Sequence, residues 1–147
     1  MIDELDRKII RSLISDGRIS FRDLGERVHL SPNATAERVR RMQSSGVIRG
    51  FGALVNWSRL GYVVEAYIDV RLQPGMSTQN FEAAVAKISG IMSAAVVTGE
   101  FDFRVRVACR DHSDLMRVIE TLRAKAGVQG TSSAVVCQEI NLSNRLA

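Results

Sequence analysis

Three arginines within four residues, Arg38, Arg40 and Arg41, follow a slim stretch, Ser31-Pro32-Asn33-Ala34-Thr35-Ala36. Guanidinium groups suit phosphate oxygens and the paired acceptors on a guanine edge, and small side chains ahead of them let a helix approach bases closely. Ser31 followed by Pro32 is a strong helix start. The hydroxyl can accept a free first-turn N–H, and proline brings a helical φ to a position that needs no donor. Val39 and Met42, three apart, give the same helix an inward apolar seam. These properties suit a helix that enters a major groove, with Asn33, Ala34 and Thr35 near the bases. They equally suit an ordinary solvated basic helix, so the surrounding elements must decide.

Upstream, Asp3 is placed to cap a helix whose Leu5, Ile9, Ile10, Leu13 and Ile14 have helical spacing. Asp16-Gly17 should stop it, glycine tolerating a left-handed helix end. Ser20-Phe21-Arg22-Asp23 restarts the chain in a pattern like a capping box, and Leu24 and Val28 form the inner seam of a short second helix. A turn at Val28-His29-Leu30 then leads to the basic helix, which Ser44-Ser45-Gly46 ends. Three short helices with a tight turn between the last two make a helix-turn-helix. Val47 to Val55, β-prone and glycine-punctuated, suits a strand or small wing. His29, in the turn, suits a capping role; with His112 the only other histidine, no metal-ligand cluster is expected.

The charge is divided unevenly. The first 60 residues hold 11 Arg and Lys against 7 Asp and Glu, and the rest hold 9 of each, so the whole excess of +4 lies in the first 60 residues. That is the distribution expected when one module meets an acidic polymer and the other does not. The 147 residues, 46% hydrophobic, suffice for one sizeable domain or two small ones. Asp3, Glu4 and Asp6 follow Met1 with no apolar leader, and no apolar run approaches a membrane span, so no membrane partner is expected and the chain should reside in the cytoplasm, on the nucleoid. Cys109 and Cys137 fall in strand-like apolar stretches and are expected as buried thiols.

Residues 56–61 suit a hinge between a module at 1–55 and another at 62–147. In the second, Val64, Ala66, Ile68, Val70 and Leu72 alternate with Glu65, Tyr67, Asp69 and Arg71, the pattern of a half-buried strand. A helix from about Ser77 carries Phe81, Ala84, Val85 and Ile88. Strands are expected over Met92–Thr98 and Phe101–Cys109, then a helix capped at Asp111 or Ser113 with Leu115, Val118, Ile119 and Leu122 inward, and a last strand over Thr131–Ile140. The order βαββαβ is a ferredoxin-like split unit, giving an α+β chain. Its second and fourth strands lie at sheet edges. Ala94–Val97 and Ala134–Cys137 are apolar on both faces there, which implies that a second subunit covers them in a homodimer.

A winged helix-turn-helix followed by a βαββαβ module resembles the Lrp/AsnC, or feast/famine, family of transcriptional regulators. The likeness covers essentially the whole chain. It rests on Ile2–Ile10, on Asp16-Gly17-Arg18-Ile19-Ser20, and on Leu30-Ser31 followed by Arg38-Val39-Arg40-Arg41. Gly46–Phe51 and Thr98-Gly99-Glu100-Phe101-Asp102-Phe103 complete it. The resemblance implies a sequence-specific regulator of double-stranded DNA, assembled as dimers and often as four dimers in an octamer. Its DNA-contacting set would be Ser31, Asn33, Ala34, Thr35, Arg38, Arg40 and Arg41.

The resemblance also implies an effector, an amino acid, bound between effector domains, and no catalytic cofactor. By motif position Thr98, Gly99, Glu100 and Asp102 would supply part of that site, with Thr131 and Ser133 supplying more. A glycine turn lets backbone N–H groups approach the effector carboxylate, and Asp102 can take its ammonium. Gly25, Thr35, Arg104 and Gly130 depart from the family pattern. Gly25 should loosen its helix by about 1 kcal/mol, and Thr35 can face either DNA or the core. An architectural DNA-organising protein of low specificity and without an effector is the alternative. Certain tetrapyrrole decarboxylases resemble the same two-part fold. An enzyme of that kind would need His, Tyr or Arg clustered between the modules, which two histidines and two tyrosines do not favour.

Overall fold

The structure, a computed structural model, describes residues 1–140. The chain divides into two compact units, the first spanning Met1–Leu54 and the second Val55–Glu139.

The first unit holds three helices, α1 (Glu4–Ser15), α2 (Phe21–Val28) and α3 (Pro32–Ser44). Asp3 and Asp6 cap α1 reciprocally, the Asp6 N–H reaching Asp3 at 2.8 Å and the Asp3 N–H reaching Asp6 at 3.2 Å. The helix ends with Asp16 in extended backbone, not at a left-handed Gly17 as expected; the Asp16 carboxylate takes the Arg18 N–H at 2.9 Å and turns the chain. Ile9, Leu24, Val28, Val39 and Met42 form the buried centre, with Leu5, Ile10, Leu13, Leu30 and Ile48 packed around it.

The α2–α3 turn is tight. His29 caps α2 in the left-handed region at φ 57°, and the Leu30 N–H donates to the Gly25 carbonyl at 2.9 Å. Gly25 is needed here rather than merely tolerated: a Cβ on it would stand 2.6 Å from the Leu30 carbonyl oxygen and 3.1 Å from Thr35 Oγ1. Residues 47–55 form no strand, contrary to expectation. Ile48 is anchored, donating its N–H to the Met42 carbonyl at 3.0 Å, but among the described residues no neighbouring strand meets the segment, and Leu54 is 97% exposed.

The second unit opens with a 3-10 turn at Trp57–Leu60, capped by Asn56, where a hinge was expected. It continues through β1 (Val64–Leu72), α4 (Thr78–Val85), β2 (Ile91–Val96), β3 (Phe103–Cys109), α5 (His112–Lys125) and β4 (Val128–Val135). The sheet is antiparallel throughout, in the order β2-β3-β1-β4. Val64, Ala66, Ile68 and Val70 of β1 and Phe103, Val105 and Val107 of β3 are buried in one core with Phe81 and Val85 of α4 and Leu115, Val118, Ile119 and Leu122 of α5. The Phe81 and Phe103 rings lie 4.3 Å apart at its centre.

Four elements differ at their ends from the sequence reading, and of these β3 begins at Phe103 rather than Phe101. α4 stops at Val85, so Ile88 packs from the turn beyond it. β2 ends at Val96, just short of the bend at Thr98–Glu100, and the Val97 N–H still donates to the Asp102 carbonyl across the strand ends. β4 begins straight after Gly127 and stops at Val135, where β1 is running out of partners. Cys109 is buried, and burial pushes its thiol pKa up; Cys137, beyond the end of β4, is exposed, contrary to expectation. The apolar edges of β2 and β4 are open in the single chain, with Val96 and Val135 among the exposed large residues.

Candidate functional site

Most of the residues expected to form sites fall in two places: the face of α3 and the turn between β2 and β3. Ser31 caps α3, its hydroxyl accepting the Ala34 N–H at 3.2 Å, and Pro32 fills the first helical position. Asn33 is exposed and Ala34 half-buried. Thr35, expected near the bases, is fully buried; its hydroxyl donates to the Ser31 carbonyl at 2.9 Å and its side chain fills the space beside Gly25. The two departures from the family pattern thus fit each other.

The arginines divide sharply. Arg38, 23% exposed, donates from Nη1 to Asp3 at 2.7 Å and to Asp6 at 2.8 Å. Arg41 donates from Nη2 to both Asp6 oxygens, at 3.0 and 3.2 Å, yet is 55% exposed. Arg40, 69% exposed, meets only Glu37 among the described residues, at 3.4 Å. Asp6 is completely buried beneath this network. The Asp6 N–H, then the Arg38 guanidinium, hold the Asp3 carboxyl below its ordinary pKa of 3.8; Asp3 and Asp6 in turn raise that of Arg38. Arg38 is therefore turned inward, onto α1, rather than outward as expected. Asp6 was not singled out in the sequence; the only hint was an acid three residues after a capping acid, and its partners lie 32 and 35 residues away.

In the β2–β3 turn, Gly99 adopts φ +114°, a conformation side-chain-bearing residues rarely take. The Asp102 N–H donates to the Val70 carbonyl at 2.9 Å, and its Oδ2 accepts the Leu72 N–H at 2.8 Å, where the β1–β4 register shifts. Arg71 binds the Glu100 carboxylate at 2.7 Å and the Glu100 carbonyl, and lies over the Phe101 ring. Thr98 and Glu100 line a cleft of about 520 Å³ with Asp69, Val96, Val97, Phe101 and Arg104. Arg104 grips Asp69 there through two bonds of 2.7 and 2.9 Å, which lower the acid's pKa and raise its own. Asp102 lines a different cleft, of about 310 Å³, with Gln73, Met76, Thr78 and the apolar Leu72, Val96, Val97 and Phe103.

Thr131 and Ser133 do not join either cleft. They lie on β4, opposite Val70 and Ile68 of β1, and the Thr131 hydroxyl accepts from Arg123 at 2.8 Å. β2 and β4 are opposite edges of the sheet. Three strand spacings, about 14 Å, separate the ends of one row that runs Val96, Phe103, Val70, Thr131. Among the described residues, no group of three or more His, Cys, Asp and Glu is placed to hold a metal ion, and no helix is long and apolar enough to cross a membrane.

Comparison with known proteins places this geometry. The AsnC-type helix-turn-helix domain model matches residues 2–43, and the Lrp/AsnC ligand binding domain model matches residues 65–146. The chain belongs to the Lrp/AsnC family. Curated relatives of this Lrp/AsnC regulator include the leucine-responsive regulatory protein of Salmonella typhimurium, 37% identical over 99% of this chain and 90% of its own length, and that of Escherichia coli K12, 36% identical over the same shares. A transcriptional regulator of Neisseria meningitidis in complex with L-Met superposes with a TM-score of 0.88 at 29% identity, over 96% of this chain and 93% of its own. A feast or famine regulatory protein of M. tuberculosis complexed with L-methionine gives 0.91 at 26% identity, over 97% of each chain. The Lrp/AsnC assignment makes the first unit a DNA-binding helix-turn-helix and the second a ligand-binding domain.

Proposed function

We propose that this Lrp/AsnC regulator reads duplex DNA with α3 and answers to an α-amino acid held beside the 98–102 turn. The observation that carries the DNA half is the open front of α3. Ser31, Asn33 and Ala34 stand at its N-terminus, Arg40 is exposed on its surface with only a loose Glu37 contact among the described residues, and Arg41 is half-exposed beside it. Asn33 and Ala34 approach base edges, while Arg40 and Arg41 take phosphates or guanine.

The amino acid sits in the smaller cleft. Its ammonium meets the Asp102 carboxylate, oriented by the Leu72 N–H; its side chain lies along Leu72, Met76 and Phe103; its carboxylate reaches out of the cleft toward the backbone N–H groups of the Gly99 turn. The L-methionine bound by two relatives supports an effector of this class. A second copy covers the apolar β2 and β4 edges, and brings its Thr131 and Ser133 toward the turn that they cannot reach within one chain. Four such dimers form the octamer. No step of this reading requires catalysis.

Fluorescence anisotropy on a duplex from upstream of the chain's own gene, against a scrambled duplex at near-physiological salt, tests the DNA half. Binding to the upstream duplex should be tighter by at least about a thousandfold. Equal affinity for both would replace the regulator with an architectural DNA-organising protein.

A further inference from the structure

The Asp6 carboxylate accepts from four donor contacts: Arg38 Nη1 at 2.8 Å, Arg41 Nη2 at 3.2 Å on Oδ1 and 3.0 Å on Oδ2, and the Asp3 N–H at 3.2 Å. It is fully buried, on the first turn of α1, and so rigidly placed. Arg38 is mostly covered in this network. Arg41 is not: only its Nη2 is held, and among the described residues Nε and Nη1 have no partner. A long side chain free at the surface loses considerable rotamer entropy when it is fixed against a ligand. Here the loss is already taken before DNA arrives, because one corner of the guanidinium is clamped.

We infer that Asp6 is a positioning residue that sets DNA specificity through Arg41. The buried carboxylate fixes one edge of the Arg41 fork so that its remaining donors meet one position on the duplex. This rests on the reading of α3 as the DNA-facing helix. Asp6 is an acid close to a polyanion, so it lowers general attraction to DNA while it orients the contact that only the right sequence completes. Specificity and raw attraction are therefore pulled in opposite directions by one residue.

The test is Asp6→Asn, which keeps the size and one acceptor oxygen but removes the charge and half of the clamp. Affinity for the upstream duplex and for a scrambled duplex is measured by anisotropy on wild type and variant, with the folded fraction of each fixed by circular dichroism. The ratio of the two affinities should fall roughly tenfold, the scale of one lost base-reading contact, while scrambled-duplex binding stays level or tightens. A merely structural role would weaken both duplexes together and leave the ratio intact, which would overturn the inference. Arg41→Lys, on an exposed position, keeps charge but loses the fork. It should lower the ratio by a similar factor, and Asp6→Asn should lower it no further in that background. Independent, multiplying effects of the two substitutions would also overturn it. A wild-type chain that prefers neither duplex would instead remove the DNA reading beneath it.

Discussion

Arg38→Met is expected to lower the stability of the helical unit by about 2 kcal/mol while leaving the salt dependence of DNA binding unchanged. Removing one partner from a buried pair costs about 3–5 kcal/mol when the other charge is stranded. Asp6 is fully buried, but it keeps Arg41 and the Asp3 N–H, so the loss falls below that range. Methionine preserves the packing of the aliphatic stem and isolates the charge. Each phosphate neutralised contributes about 0.9 to the slope of log affinity against log salt. A guanidinium facing Asp3 and Asp6 contributes none. Arg40→Ala should do the reverse, reducing the slope by about 1 with stability within about 0.5 kcal/mol of wild type. Urea titration and anisotropy at several salt concentrations separate the two. A slope reduced by one in Arg38→Met, with stability intact, would mean that Arg38 leaves its carboxylates for a phosphate.

The same tie is acid-sensitive. Asp3 has its folded pKa held below 3.8, first by the Asp6 N–H and then by Arg38. Its contribution is complete above that value and is lost as pH falls below it. Arg38→Met should flatten this acid limb.

Gly25→Ala is expected to destabilise the unit by about 1–3 kcal/mol, the usual range for overpacking a filled site. Helix propensity alone predicts the opposite sign, a gain of about 1 kcal/mol. Geometry decides: the added Cβ would meet the Leu30 carbonyl at 2.6 Å, and a backbone oxygen cannot swing aside like a side-chain tip. The Leu30 N–H also donates to the Gly25 carbonyl, so a shift of α2 would strain the turn that aims α3. Adding Thr35→Ala removes the 3.1 Å side-chain contact but not the backbone one, so it should not restore stability. The urea midpoint of the single and double variants reads the result. A more stable Gly25→Ala would show that the α2–α3 approach relaxes freely.

Much of this was legible before any coordinates. The caps at Asp3, Ser20, Ser31 and Asp111 all form as local spacing dictates, because each capping contact closes within three residues. The alternation in β1 marks its buried face residue by residue. Legibility ended where contacts are long-range. Nothing local says that Arg38 turns inward, since its acids lie at the far end of α1. Thr35 was ambiguous because only the glycine opposite tells whether a hydroxyl has room in the core. The β-prone segment at 47–55 has strand composition but, among the described residues, no strand beside it, and composition cannot supply a partner. The turn at 98–102 and the pair Thr131 and Ser133 were grouped by resemblance. Yet the βαββαβ order already places β2 and β4 at opposite edges, so the grouping demands two chains.

In the proposed function an amino acid at the second unit changes what the first unit does on DNA. The most direct measurement is the dissociation constant for the upstream duplex, with and without an amino-acid pool, on wild type and on Asp102→Asn. That substitution keeps an acceptor for the Leu72 N–H and removes the charge offered to an ammonium. The account predicts a severalfold shift with the pool in wild type, the scale of an ordinary coupling free energy, and little or none in Asp102→Asn. Specific binding indifferent to the pool in both proteins would contradict it.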